Sequence, residues 1–170
     1  QDQLLMAIIG HLVGDYLVQN DWMALNKKSS SKHCFVHCVI WATCVCAFGQ
    51  LALLAWLPLF LMHFIQDRTS IVVRWMKFMG QEKFMGPPCG PWSVIVVDNI
   101  WHLLQILVVV YFNPQLSGGF SYHWVDTEVI LAACPFVVVW NCAATRDQTR
   151  DDERKKAMKM EEHTSELQSL

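Results

Sequence analysis

Histidine and aspartate residues recur four positions apart in this sequence, inside segments that are otherwise apolar. Residues with this spacing lie on one face of an α-helix. Imidazole and carboxylate groups presented in this way are common ligands of Zn, Mn and Fe, and helix bundles build metal sites from such side chains pointing inward. The pattern therefore predicts a divalent-metal site. Its four pairs are His11 and Asp15, His33 and His37, His63 and Asp67, and Asp98 and His102.

The burial of these groups in apolar helices needs a compensating interaction. One aspartate at the centre of a membrane-spanning helix costs at least about 2.5–3.5 kcal/mol on insertion scales. A bound cation satisfies several carboxylates and imidazoles at once, and two ions about 3.5–4 Å apart can activate water and bind a phosphoester. We expect one or two ions held by His11, Asp15, His37, His63, Asp67, Asp98 and His102.

Further roles follow from position along the same helices. Asp15 or Asp98 is expected to accept the proton of a water molecule. Arg68, at the cytoplasmic end of its helix, is expected to bind a substrate anion. Gln19 is expected to extend the first helical face by one more turn. Four neighbours are expected to orient the ligands or the substrate: Gln19, Gln66, Asn99 and His33.

Two of the seven cysteines flank the histidines of the second pair, in the sequence HCFVHC. Each is offset by one residue, or about 100° around the helix, from its neighbouring histidine. We therefore expect Cys34 and Cys38 to pack as small apolar side chains rather than to bind metal.

Five apolar segments must position these residues, and 54% of the 170 residues are apolar. Each segment approaches the roughly 17–25 residues that cross a bilayer. The sequence predicts an all-α fold, a polytopic bundle of about five transmembrane helices. Pro58 is expected to kink the third helix, and Gly10 and Gly14 are expected to allow close helix contact. The segments span about 4–19, 34–49, 51–66, 93–112 and 128–144.

The cations indicate how such a bundle is oriented. All 13 lysines and arginines fall in the loop at 20–33, the stretch at 68–92 and the tail from 146 onwards. With the N-terminus outside and the C-terminus inside, five crossings place every one of them on the cytoplasmic side. We therefore expect an integral membrane protein with membrane lipids as partners.

The net charge and the N-terminal residues give no reason to expect a nucleic-acid partner or a cleavable signal peptide. The net charge of −2 gives no reason to expect a nucleic-acid partner. The first apolar run lacks a basic segment before it and contains His11 and Asp15, so we expect no cleavable signal peptide.

The chain divides into a membrane bundle at 1–145, a charged cytoplasmic helical tail at 146–160 and a final segment at 161–170. The final segment contains EEHTSELQS, which resembles a translated sequencing adapter, and we expect it to be an adapter product or disordered. Short spans rich in tryptophan and phenylalanine are compatible with a homo-oligomer.

Four stretches carry a resemblance to a known family: HLVGDYLVQNDWMALNKK, the HC that opens the second helix, HFIQDRT and PWSVIVVDNIWHLL. In order and spacing they resemble the uncharacterised bacterial and phage membrane family called domain of unknown function 3307, over about residues 4–112. The resemblance implies a bacterial inner-membrane protein, encoded by a bacterium or a phage, and no particular reaction. It points to the same seven ligands and does not single out His33.

Two functions of different classes fit these features. One is a metal-dependent membrane hydrolase that acts on a lipid or polyprenyl phosphoester at the cytoplasmic leaflet. The other is a non-enzymatic protein, either a proton or cation pathway or a phage-encoded envelope factor, in which the cluster is a proton relay or a structural site. Haem bound between histidine pairs is less favoured, because it leaves the three aspartates without a role.

Overall fold

The computed structural model describes residues 2–117, 150 and 153–161. The described residues are helical and contain no strand, so the predicted all-helical fold is confirmed. Residues 153–161, which include the end of the predicted tail and the first residue of the predicted final segment, are helical. The predicted fifth span at 128–144 and most of the final segment lie outside the described residues. The remaining elements are α1 (Gln3–Leu12), a π-helical turn (Val13–Leu17), α2 (Asp21–Ala24), α3 (Ser31–Gly49), α4 (Trp56–Arg68), α5 (Ile71–Phe78) and α6 (Gly90–Leu116).

The first helix changes its winding at the residues that matter for the site. The Asp2 carboxylate caps α1 by accepting from the backbone N–H groups of Leu4 and Leu5. From Val13 the chain winds as a π-turn, a wider helix that occurs often at functional sites. We had predicted that Gln19 lies one turn further on the same helix face. The helical winding ends at Leu17, so Gln19 is not on that face.

Helices α1 and α3 pack with almost no side chain between them. A Cβ atom on Gly10 would lie 2.6 Å from the Cys44 carbonyl oxygen and 2.9 Å from the Cα atom of Val45. A Cβ atom on Gly14 would lie 3.0 Å from the Trp41 side chain. The predicted role of the two glycines in close helix contact is confirmed.

The turn after α3 joins two antiparallel neighbours. Gln50 adopts the left-handed conformation, and a 3-10 turn at Leu53–Ala55 leads into α4. Pro58 lies in the first turn of α4, where its missing N–H would have no helical partner, so the predicted kink is wrong. The Asn113 side-chain oxygen accepts from the Ala52 N–H at 2.7 Å and ties this turn to α6.

Two of the described helices are long and apolar enough to cross a membrane. They are α3, with 19 residues, and α6, with 27. Helix α4 has 13 residues and is about 20 Å long, less than the roughly 30 Å hydrocarbon thickness of a bilayer. Helix α6 continues to Leu116, beyond residue 113 where we had predicted a loop.

An apolar core occupies one end of the bundle and borders the site. Ala7, Val45, Leu59 and Ile106 are fully buried in it. Each lies on the same helix as a predicted ligand, four or eight residues away from it. The core therefore forms a layer about one or two turns from the polar residues and holds the four helices together around them.

Substitution of Gly10 by alanine tests the contact between α1 and α3. The new methyl group has to push backbone atoms of α3 aside, so we expect a loss of unfolding free energy of about 1–3 kcal/mol or more. Gly86→Ala is the matched control, because its Cβ atom would find its nearest neighbour at 3.4 Å. Unfolding of the detergent-solubilised protein measures both, and equal stabilities would contradict the proposed packing.

Candidate metal centre

Four helices bring all seven predicted ligands into one cluster. Asp15 enters from the π-turn after α1, and His63 and Asp67 come from successive turns of α4. Six of the ligands are buried and Asp98 is half-buried. Donor atoms lie within 4.8 Å of one another in three overlapping groups. These groups are His11 with Asp15 and His102, Asp15 with His37 and His63, and Asp67 with Asp98 and His102.

Four donor atoms form the centre of the cluster, and we call them the central quartet: His37 Nε2, His63 Nε2, Asp15 Oδ1 and Asp67 Oδ2. The two imidazole nitrogens are 3.0 Å apart. His37 Nε2 lies 3.2 Å from each of the two carboxylate oxygens. His63 Nε2 lies 3.3 Å from the Asp67 oxygen and 3.8 Å from the Asp15 oxygen. Ligands around one ion with bonds of about 2.1 Å are about 3.0–3.4 Å apart, so the quartet has the dimensions of a metal site.

Hydrogen bonds within the central quartet leave some of its atoms unsatisfied. A neutral imidazole carries a single N–H, which has to serve either the other imidazole or a carboxylate. Asp15 Oδ1 is buried and makes no hydrogen bond, although His37 Nε2 lies 3.2 Å away. Several lone pairs thus point at a common space, and a cation is the group that would satisfy all of them.

His102, on the other side of the carboxylates, also lacks hydrogen bonds. Its Nδ1 atom lies 3.4 Å from Asp15 Oδ2, and its Nε2 atom lies 3.9 Å from Asp67 Oδ1. Both ring nitrogens are buried without a hydrogen bond, and the residue is 1% exposed. A neutral imidazole must turn a lone pair toward one of these carboxylates, which is repulsive unless a cation lies between them.

One buried lysine partly balances the carboxylates. Lys27 extends from the loop between α2 and α3 and places Nζ 2.7 Å from Asp67 Oδ2. Burial by itself would lower the pKa of Lys27, but the carboxylates of Asp67 and Asp15 raise it above its ordinary value, so the ammonium stays charged. With neutral imidazoles, one ammonium faces three carboxylates, and the cluster retains the charge that attracts a divalent ion.

His11 differs from the other imidazoles, because both of its nitrogens have partners. The Trp41 indole N–H donates to His11 Nδ1 at 2.9 Å. An indole can only donate, so His11 Nδ1 accepts and its Nε2 carries the proton toward Asn99 Oδ1, 3.1 Å away. His11 is therefore held in one tautomer beside Asp15, whose Oδ2 atom is 3.2 Å from its Nδ1. This geometry suits an orienting role for His11 better than metal ligation.

Amide side chains orient the ligands that come from α6. Gln66 Nε2 donates to Asp98 Oδ1 at 2.9 Å, and its oxygen accepts from Gln105 Nε2 at 2.7 Å. Asn99 Oδ1 also accepts from the Tyr16 hydroxyl at 2.9 Å. Gln66 and Asn99 thus lie in contact with predicted ligands.

Arg68, His33 and Gln19 are placed differently from our predictions. The Arg68 guanidinium donates to the backbone carbonyls of Lys28 and Ser29 and to the Ser31 hydroxyl, and so closes the loop onto α4 instead of facing the cluster. The His33 ring packs on Trp22, with ring centroids 4.1 Å apart. Gln19 reaches the site from the irregular segment after the π-turn.

A cavity of about 400 Å³ adjoins the cluster. Its polar lining combines carboxylates with cations, and its apolar lining comes from α5 and α6. The residues that matter for chemistry are Asp15, Asp67, Asp98, Lys27, Lys28 and Gln19. Ligand groups that are otherwise buried are thereby accessible to a molecule in the cavity.

Trp41 and Lys27 are among the residues of the site that sequence reasoning missed. Trp41 lies four residues after His37, and this spacing could have placed it on the same face. Its ring stacks on His63 with centroids 3.9 Å apart while its N–H binds His11. Lys27 carried no comparable signal, because a loop lysine beside Lys28 resembles a solvated cation until the loop is folded.

Trp41→Phe tests the orientation of His11. The variant keeps an aromatic ring against His63 but leaves Nδ1 of His11 buried without a donor, so we expect a loss of unfolding free energy of about 1–3 kcal/mol. Trp56→Phe is the control, because the Trp56 N–H donates to Thr43 at an exposed position. Denaturant unfolding in detergent compares the two, and an equal loss in both would contradict the buried contact.

Comparisons with known proteins agree with the resemblance noted in the sequence. No curated protein and no solved structure matches the chain. The model of one protein family matches residues 3–128, which include every predicted ligand. The chain belongs to that family, which is described as "Protein of unknown function (DUF3307)".

Proposed function

We propose that this protein is an integral membrane metalloenzyme that hydrolyses a lipid or polyprenyl phosphoester at the cytoplasmic leaflet of the bacterial inner membrane. The observation that carries the proposal is the contact between the metal-binding cluster and an open cavity. Three carboxylates and two lysines line this cavity together. A phosphoester needs both a cationic contact and an activated water, and the two occur here in one space.

A membrane location is supported by the outer face of α6. Ile100, Leu104, Val108 and Tyr111 are exposed on it, with Tyr111 at 73%. A contiguous apolar surface of this kind marks a membrane or protein contact. The distribution of the 13 cations in the sequence favours the membrane and supports a cytoplasmic position for the cavity and its lysines.

Different residues of the chain have different roles in the proposed hydrolysis. Asp15 and Asp67, with His37 and His63, would hold a divalent ion, which would lower the pKa of a bound water and stabilise negative charge on a phosphoester oxygen. Asp98 lines the cavity and accepts a hydrogen bond from Gln66, so its carboxylate is available to accept the proton of the attacking water.

Lys27 and Lys28 are the proposed contacts for the phosphate. They take the role that we had predicted for Arg68, whose guanidinium is engaged by the loop. Lys28 Nζ donates to the Thr69 carbonyl at 3.2 Å, and both lysines line the cavity. A lysine ammonium is a compact donor that binds phosphate oxygens well.

A second cavity, of about 260 Å³, favours a substrate with an apolar chain. It lies between α4, α5 and α6 and shares Val72 with the polar cavity. Met62, Ile65, Ile71 and Trp101 line it. A phosphate in the polar cavity could therefore continue into an acyl or isoprenoid chain beside α5.

A proton pathway is the second candidate, because neighbouring imidazoles form a chain. The rings of His37 and His63 are 5.1 Å apart, those of His63 and His102 4.2 Å, and those of His102 and His11 5.5 Å. A pathway must also continue to the other membrane face. In the part of the chain that the structure describes, the layer of Ala7, Val45, Leu59 and Ile106 on that side is apolar. The closed end favours hydrolysis.

Elemental analysis tests the metal site. The detergent-purified protein is expected to contain at least one Zn, Mn or Fe ion per chain, and the variant His63→Ala/His102→Ala is expected to lose more than about 10-fold in metal affinity. His33→Ala is the matched control, because its ring packs on Trp22 away from the carboxylates. A metal-free protein with native helix content would contradict the proposal.

Lys27→Met tests the phosphate contact. Loss of one charge-assisted hydrogen bond, about 1.5 kcal/mol, should weaken binding of inorganic phosphate to the metal-loaded protein about 10-fold. Calorimetric titration measures the affinity, and Lys83→Met, at an exposed position outside the cavity, is the control. Unchanged phosphate affinity in the Lys27 variant, with metal content retained, would exclude this role.

A further inference from the structure

Cys38 lies against the metal-binding cluster. It is fully buried on α3, directly after His37. Its sulfur lies within 4.8 Å of a ring nitrogen of His63 and a carboxylate oxygen of Asp67. We had predicted a packing role, because Cys38 points about 100° away from His37 around the helix. Helix α4 packs on that flank of α3, however, and brings its own two ligands to the sulfur.

The neighbouring cysteine, Cys34, has a different environment from Cys38, so the two thiols differ in what they can bind. Cys34 Sγ lies 3.8 Å from the Phe64 carbonyl oxygen, which can only accept, so the Cys34 thiol is the donor in this contact. Cys38 Sγ lies 3.7 Å from Cys34 Sγ and faces the cluster. Cys34 is therefore a structural thiol, while Cys38 is the thiol in reach of an ion.

The polar atoms around Cys38 lack the hydrogen bonds that burial demands. Asp67 Oδ1 makes none, although Asp67 is fully buried. Both nitrogens of His102, whose ring centroid lies 4.2 Å from that of His63, also make no hydrogen bond. These atoms give independent evidence for an ion beside the sulfur, because buried polar groups are otherwise almost always paired.

The distances allow a shared ion after a side-chain adjustment. A zinc–sulfur bond is about 2.3 Å and a zinc–nitrogen bond about 2.1 Å, so two such donors at the tetrahedral angle lie about 3.6 Å apart. The group of Cys38, His63 and Asp67 is confined to 4.8 Å. A side-chain shift of up to about 1 Å brings all three donors to one centre.

We propose that Cys38 is a thiolate ligand of this metal site, which thereby selects Zn²⁺ or Fe²⁺ over Mn²⁺ and Mg²⁺. The inference rests on the metal site of the proposed function. As the ion binds, a sulfur–metal bond forms and the S–H proton leaves to solvent, with no change of oxidation state. Thiolate donors favour softer ions, whereas a site of carboxylate and water alone suits Mg²⁺ and Mn²⁺.

Titration of the metal-free, full-length protein with Co²⁺ tests this assignment. Wild-type protein should develop a near-ultraviolet thiolate-to-cobalt charge-transfer band together with visible d–d bands. Cys38→Ser should lose the charge-transfer band and bind Zn²⁺ about 10–100-fold more weakly. The matched control Cys34→Ser should keep the band. Zn²⁺ should displace Co²⁺ from wild-type protein, whereas equimolar Mn²⁺ should not.

The outcomes separate this inference from the proposed function. Visible bands without charge transfer, and equal affinities in wild type and Cys38→Ser, would overturn the cysteine ligand and leave the metal site standing. No Co²⁺ binding at all would overturn both. X-ray absorption of Zn²⁺-loaded wild type needs no variant: a sulfur neighbour at about 2.3 Å supports the inference, and only nitrogen and oxygen neighbours overturn it.

Discussion

The structure is organised around carboxylates that are buried without enough positive charge. Asp15 and Asp67 lie almost fully inside the helix bundle, and one lysine is the fixed cation in contact with them among the described residues. Placing anions in a low-dielectric interior is unfavourable unless a cation and well-directed ligands accompany them. The imidazoles of His37, His63 and His102 surround the carboxylates at distances that suit a bound ion, and the rest of the fold holds them there.

The helices pack closely on one side of the cluster and leave a cavity on the other side. Gly10 lets α1 approach the α3 backbone, which brings His11 within reach of the Trp41 indole. Trp41 in turn stacks on His63 and so orients two imidazoles from different helices. The apolar layer beyond them closes one end of the cluster. The cavity at the other end has room for a ligand beside the carboxylates.

The sequence predicted the helical fold and the seven residues that meet in the cluster. Both follow from local rules, since residues four apart share a helical face and apolar segments of this length form helices. Several details depended on more than one helix. Arg68 turned to carbonyl groups of the α2–α3 loop, Pro58 fell in a first turn, and the π-turn ended the helix before Gln19. Neither the contacts of Arg68 nor these helix boundaries follow from residue spacing along one segment.

The amino-acid sequence by itself therefore determined which faces of the helices are polar, and hence which residues enter the site. Only the tertiary structure decided what each of them touches. Lys27 became a partner of Asp67, His11 became the acceptor of Trp41, and Cys38 came to lie beside His63. The physical reason is that helical periodicity is local, whereas a ligand set depends on how the helices rotate and pack against each other. Such packing is fixed by close contacts like that of Gly10, which no single segment contains.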